Sequence, residues 1–223
     1  MRIEGQGLTI PAEVDGTPVR LMVDTGAGGT LILKSWFVEE QKLRQRYPQR
    51  LKVVTGLGLF GLMHGEIARL QTLKIGDYSI TNVCVEFETK RKARRSQIAG
   101  IIGARVLSQF TLTFEPAGKR LWLEPNARFG IDVPHSVVRS GLVCAPEGTN
   151  WMVLDVVADS PAAEADVRQS DRLIAIGGRL VSSLKNWEIS RAFRAKPGTL
   201  VQLRLQAGEE APRDVTLKLR DLF

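Results

Sequence analysis

In LMVDTGAGGT, residues 21–30, a single carboxylate, Asp24, stands between an apolar run and a nest of small residues. Such a group has two possible uses. Set a few ångströms from a second carboxylate it cannot ionise fully, so the pair shares one proton and can activate water as a coupled acid and base. Alone, it is a turn residue at a strand end, bonding to neighbouring N–H groups. Other chemistry-bearing residues are sparse. Cys84 and Cys144 lie far apart, without the paired spacing of a zinc site and too few for a disulfide framework, so they read as core thiols. GLGLFG at 56–61 leads into a strand pattern rather than a helix, which makes it a hairpin tip and not a phosphate loop. KRKARR at 90–95 carries much of the net charge of +7. It is a solvated loop, or a site for an acidic segment or an anionic membrane surface; nucleic-acid binding would need a readable motif or interleaved aromatics.

The elements around these residues are mostly strands. LTIPAEV and VRLMVDTGAGGTLIL alternate about an Asp15-Gly16 turn, which predicts a hairpin ending at Asp24. SWFVEEQKLRQRY, 35–47, predicts one helix with Ser35 as a possible cap and Pro48 as the stop. Strands follow at LKVVT, LMHGEIARL and LQTLKIGDYSITNVCVEFE, the last folded at Gly76-Asp77. His64, just past the glycines, reads as an exposed strand residue. After the basic run come IAGIIG, a short helix ARVLSQF, and the strands TLTFEP and RLWLEP. NARFGIDVPHSVVR, 126–139, has no clear period, and strands with two short helices resume beyond it. Trp36, Trp122 and Trp151 read as packing residues.

Hydrophobic content of 43% with 25% charged residues suits a globular protein with a real core, and no apolar stretch approaches the roughly 20 residues of a membrane-spanning helix. MRIEGQGLTI lacks the basic opening and apolar centre of a signal peptide. The compartment expected is the cytoplasm, or the periplasm or a membrane tether for a chain whose leader has been removed.

Residues 5–125 resemble the retropepsin-like aspartic proteases in four ordered features: VDTGA at 23–27, the Gly-rich hairpin, IIG at 101–103, and the short helix and strands after it. The resemblance implies a single-lobe β-barrel in which Asp24 is catalytic, Thr25 locks the active-site loops together and Gly26 lets the backbone pass close to the carboxylates. It also implies a flap at Gly56, Leu57, Gly58, Leu59, Phe60 and Gly61, and a cleft lined by Ala27, Gly28, Gly29, Ala99, Ile101 and Ile102. Only one such triplet occurs in the chain, so the second Asp24 would come from another copy in a homodimer, unless a further lobe lies outside this sequence. Viral members place acidic residues where this chain has Gly28 and Gly29, and a basic residue where it has Ala104. Both partners of that salt bridge are absent together, so neither charge is left buried alone.

Residues 138–223 resemble a PDZ domain of the bacterial protease-associated type, on DSPAAEADV at 159–167, SDRLIAIGGRLV at 170–181, the helix at 184–195 and the closing strands. Relatives usually place Gly near Ala165-Asp166 and Ser170-Asp171. Such domains add an extended peptide as a strand and hold its terminal carboxylate in a backbone nest. The resemblance puts the nest at Ser140, Gly141 and Leu142, and the groove between the strand through Val143 and the helix. Trp187, Ala192 and Phe193 are open to both core and groove roles, because an amphipathic helix buries most of its large residues.

The expectation is a mainly β protein: a retropepsin-like barrel at 1–125, a linker at 126–138, and a PDZ domain, a small β-barrel with two helices, at 139–223. The expected activity is an aspartic endopeptidase acting on polypeptides as a homodimer, with peptide or protein C-termini bound at the PDZ domain and no metal, nucleotide or organic cofactor implied. The alternative is a catalytically silent peptide-binding adaptor whose first lobe serves for dimerisation.

Overall fold

The computed structural model describes residues 2–4, 7–58, 61–89, 96–131, 135 and 137–223; for residues 2–4, 56–58 and 61 it describes the backbone alone. Leu59, Phe60 and the run 90–95 lie outside the described residues. Two compact units emerge from the internal contacts, 1–50 with 65–133, and 51–64 with 134–223. The division does not follow chain order, because the segment 51–64, which contains the Gly-rich run 56–61, groups with the second unit.

The first unit begins with strands β1 (Arg2–Glu4), β2 (Gly7–Val14), β3 (Thr17–Asp24) and β4 (Leu31–Leu33). Asp15 and Gly16, at φ 48° and 78°, make the β2–β3 turn, the left-handed pair that a tight hairpin requires. Helices α1 (Ser35–Glu40) and α2 (Leu43–Arg46) come next. The single helix expected over 35–47 is therefore broken, at Lys42, whose φ of 51° is left-handed. Ser35 is the first helical residue rather than the cap; Lys34 takes the cap position and makes no side-chain cap bond.

The chain continues through β5 (Leu51–Gly58), β6 (Gly61–Ile75), β7 (Tyr78–Glu88), β8 (Gly100–Gly103), α3 (Ala104–Leu107), β9 (Phe110–Glu115) and β10 (Arg120–Pro125). Two strands expected between 62 and 75 are one, β6. The sheet runs β1-β2-β3-β8-β4-β7-β6-β5, and a further β2–β6 pairing, Glu13 with Lys74 and Val14 with Leu73, closes β2, β3, β8, β4, β7 and β6 into a six-stranded barrel. Period-2 burial fills it: Leu21, Leu31, Leu33, Leu70, Leu73, Val85, Phe87 and Ile102 are among its buried side chains. β9 and β10 pair with each other as a separate hairpin.

In the second unit, α4 (Val137–Ser140), β11 (Leu142–Glu147), β12 (Asn150–Val156), α5 (Pro161–Glu164), β13 (Asp171–Ile176), β14 (Arg179–Leu180), α6 (Asn186–Phe193), β15 (Leu200–Ala207) and β16 (Arg213–Lys218) follow in order. The sheet order is β11-β12-β13-β15-β16, with β14 on β13, so β11 is an edge strand. Leu142, Val153, Leu173, Ile189, Phe193, Leu203, Leu205 and Leu217 belong to its core. Ser160 caps α5 by accepting the Ala163 N–H at 3.2 Å, with Pro161 next in line, the usual chemistry of a helix start.

Candidate active site

Asp24 is the last residue of β3 and stands opposite Gly103 in the parallel β3–β8 pair. Its Oδ1 accepts the N–H of Gly26 at 2.8 Å and of Ala27 at 3.1 Å. These two bonds to one oxygen fix the carboxylate to its own loop, and charge-assisted bonds of this kind are stronger than neutral ones. Asp24 is half-buried, whereas Thr25 and Gly26 are exposed in the protomer.

The far side of the loop is bonded to the start of α3. Gly103 N–H donates to Thr30 O at 2.8 Å, Ala104 N–H to Ala27 O at 2.8 Å, and Arg105 N–H to Gly29 O at 3.2 Å. The Thr30 hydroxyl donates to the Cys84 carbonyl. Main-chain bonds therefore join the two places where the charged pair of viral relatives is missing. A Cβ on Gly103 would sit 2.4 Å from Gly29 O and 2.8 Å from Ala27 O, so the last residue of IIG must be glycine for the loop to lie against β8. Among the described residues nothing lies within 4 Å of a Cβ at Gly28 or Gly29.

The expected cleft residues do not share one environment. Ala99 and Ile102, expected in the cleft, are instead buried in the barrel core, at 2% and 0% exposure. Alternation along β8 leaves Ile101 half-buried, with Met22 and Ile32 as its neighbours in register. Ala27 and Gly29 are half-buried, and Gly28 is exposed. Of the expected flap, Gly56, Leu57 and Gly58 end β5 and Gly61 begins β6, with Leu59 and Phe60 outside the described residues. His64 is exposed.

The second candidate site starts at the end of α4. Gly141 has φ 74°, and a Cβ there would meet Ser160 Oγ at 2.0 Å, which requires glycine twice over. The nest expected at 140–142 is internally occupied: Gly141 N–H donates to Val137 O at 2.8 Å and Leu142 N–H to Ser140 Oγ at 3.0 Å. Leu142 is a core residue, Val143 is half-buried beside a register shift, and on α6 Ile189 and Phe193 are buried while Ala192 is half-buried and Trp187 is 54% exposed. Phe193 is therefore core, and the exposed Trp187 is not.

Arg139, which the sequence did not single out, bonds the Arg194 carbonyl at 3.0 Å and Asp221 at 2.8 Å, tying the end of α4 to the end of α6. A basic residue beside the expected nest was the available signal. Trp36 and Trp151 are half-buried as expected for packing, but Trp122 is 43% exposed, with the Arg120 guanidinium 5.8 Å from its ring centre. Cys84 is buried, and burial pushes the Cys144 thiol up to about 12, which suits packing groups. Among the described residues no group of three or more His, Cys, Asp and Glu could hold a metal ion, and no helix is long and apolar enough to cross a membrane.

Residues 10–106 match the aspartyl protease family model and residues 152–206 the PDZ domain model. The chain carries a retropepsin-like aspartyl protease domain followed by a PDZ domain. Serine protease HTRA1 of Xenopus laevis is 36% identical over 74 residues, 33% of this chain and 16% of that protein. The chain thus spans about a sixth of the length of that relative. A retropepsin-like aspartic protease from Rickettsia conorii is 18% identical in structural alignment, covering 52% of this chain and 78% of that one at a TM-score of 0.36. The PDZ domain of a carboxy-terminal protease from Vibrio cholerae, solved in complex with peptide, is 21% identical, covering 37% of this chain and 93% of that one at a TM-score of 0.34.

Proposed function

We propose that this protein is an aspartic endopeptidase that works as a homodimer, each copy supplying one Asp24, and that its PDZ domain binds peptide or protein C-termini. The observation that carries the reading is the Asp24 loop: a carboxylate at a strand end, held by two of its own amides and bonded from behind to α3. An Asp turn can make the same two bonds; what favours a catalytic role is that this loop lies within the stretch, residues 10–106, that matches the aspartyl protease family model. In the dimer the two carboxylates share one proton. The charged member takes a proton from a bound water while the other donates to the carbonyl oxygen of the scissile peptide. Water attacks the carbonyl carbon, and the resulting tetrahedral species expels the amine after protonation, with no covalent link to the enzyme.

Two features support self-association. Thr25, which the family uses to lock paired loops, is exposed in the protomer. The β9–β10 hairpin leaves Phe114 at 45% and Trp122 at 43% exposure, apolar surface that a second copy would cover.

The test is digestion of an unfolded polypeptide between pH 3 and 7 by the protein and by Asp24→Ala, with and without a transition-state inhibitor of the pepstatin class. Digestion by the parent alone, blocked by the inhibitor, is expected. Equal digestion by both would refute the assignment, and digestion by neither would leave the adaptor.

A further inference from the structure

We propose that Asp155, on β12, is a positioning residue that holds β5 within the second unit. Residues 51–64 group with the PDZ domain by contacts, although they lie far from it in sequence. Within that unit the Val54 N–H donates to Asp155 Oδ2 at 2.9 Å, a bond across 101 residues of chain. Val53 and Val54 are each 2% exposed, so the strand is buried at the point where the bond is made.

The bond has a physical reason. β5 ends the sheet order, and an outer strand presents N–H groups with no ladder partner on that side. Burying such a donor unpaired is costly, and a carboxylate is the strongest acceptor a side chain offers. Asp155 is in register with Val143, on the edge strand to which a PDZ ligand adds, and beside the register shift between Val143 and Cys144. The residue that anchors β5 is thus the cross-strand neighbour of the ligand-binding strand. Asp155 ties β5 to the strand that neighbours the edge strand β11.

The experiment uses the whole chain carrying Asp24→Ala, so that self-digestion plays no part, and follows amide hydrogen exchange at Val54 by NMR. Adding Asp155→Ala is expected to speed exchange at Val54 about tenfold, the scale of one lost bond to a charged acceptor, while barrel amides such as Val23 keep their rates. Asp155→Asn, which retains an acceptor oxygen, is expected to stay within about twofold of the parent. Unchanged exchange in the alanine variant, or equal acceleration in both, would overturn the tether.

Discussion

Asp15 is attached much as Asp24 is, through a carboxylate oxygen that accepts a backbone N–H, here that of Thr72 at 2.9 Å. Its surroundings make it structural: its other oxygen takes the Tyr47 hydroxyl and lies 3.7 Å from an Arg46 nitrogen, and the Gln71 N–H reaches the Tyr47 oxygen at 3.2 Å. Burial first, and then the bond to Asp15, push the Tyr47 phenol up to about 12. Because the folded state holds this proton more tightly than the unfolded chain, near 10, the associated stability is complete below about pH 10 and is lost as pH rises toward 12. Tyr47→Phe leaves the buried Asp15 carboxylate short of a donor and is expected to cost about 1–3 kcal/mol at neutral pH. The variant should also show a flatter decline in denaturant midpoint between pH 10 and 12; an unaltered alkaline decline would assign it to other groups. At this scale the placing of Asp24 at a strand end was legible from the alternating pattern, whereas the close approach that requires Gly103 was not. The sequence misled at Ala99 and Ile102, because which side of β8 faces the core depends on pairing with β3 and β4.

The loop into β13 shows how an element tolerates a residue its turn does not favour. Asp166 and Ser170, near the places where relatives put Gly, have φ of 54° and 72°. The turn is held from outside: Ser170 N–H donates to Val153 O at 2.9 Å, and the buried Asp171 accepts the Arg168 N–H at 2.9 Å and Arg213 at 2.6 Å. A left-handed residue with a Cβ costs about 1–2 kcal/mol, so Ser170→Gly is expected to raise the unfolding free energy by about 1 kcal/mol, and Ser170→Val to lower it by more. Equilibrium urea unfolding measures both, and destabilisation by glycine would contradict this account of the turn. Hairpins at Asp15-Gly16 and Gly76-Asp77 were legible because turn chemistry is local. The break at Lys42 was not, since lysine carries no signal for a left-handed conformation. Nor was the unity of β6, which exists because β7 pairs with it from Gly65 to Ile75 and β2 meets it at Leu73 and Lys74.

For the whole molecule, the order of the two domains was legible from motifs, and the family models fall on the same two stretches. Closure of the barrel through Val14 and Leu73, and the grouping of 51–64 with the PDZ domain, rest on contacts between distant residues that no local pattern encodes. In the proposed mechanism the second Asp24 comes from another copy, so the chemistry belongs to two chains rather than one. Subunit mixing addresses this claim most directly: a fixed amount of the protein is equilibrated with increasing Asp24→Ala, and the rate of polypeptide cleavage is followed. If each site needs Asp24 from both copies, an equal amount of the variant lowers the rate to about half, and an excess drives it toward zero, as random pairing requires. A cleavage rate indifferent to added Asp24→Ala would contradict a site shared between subunits.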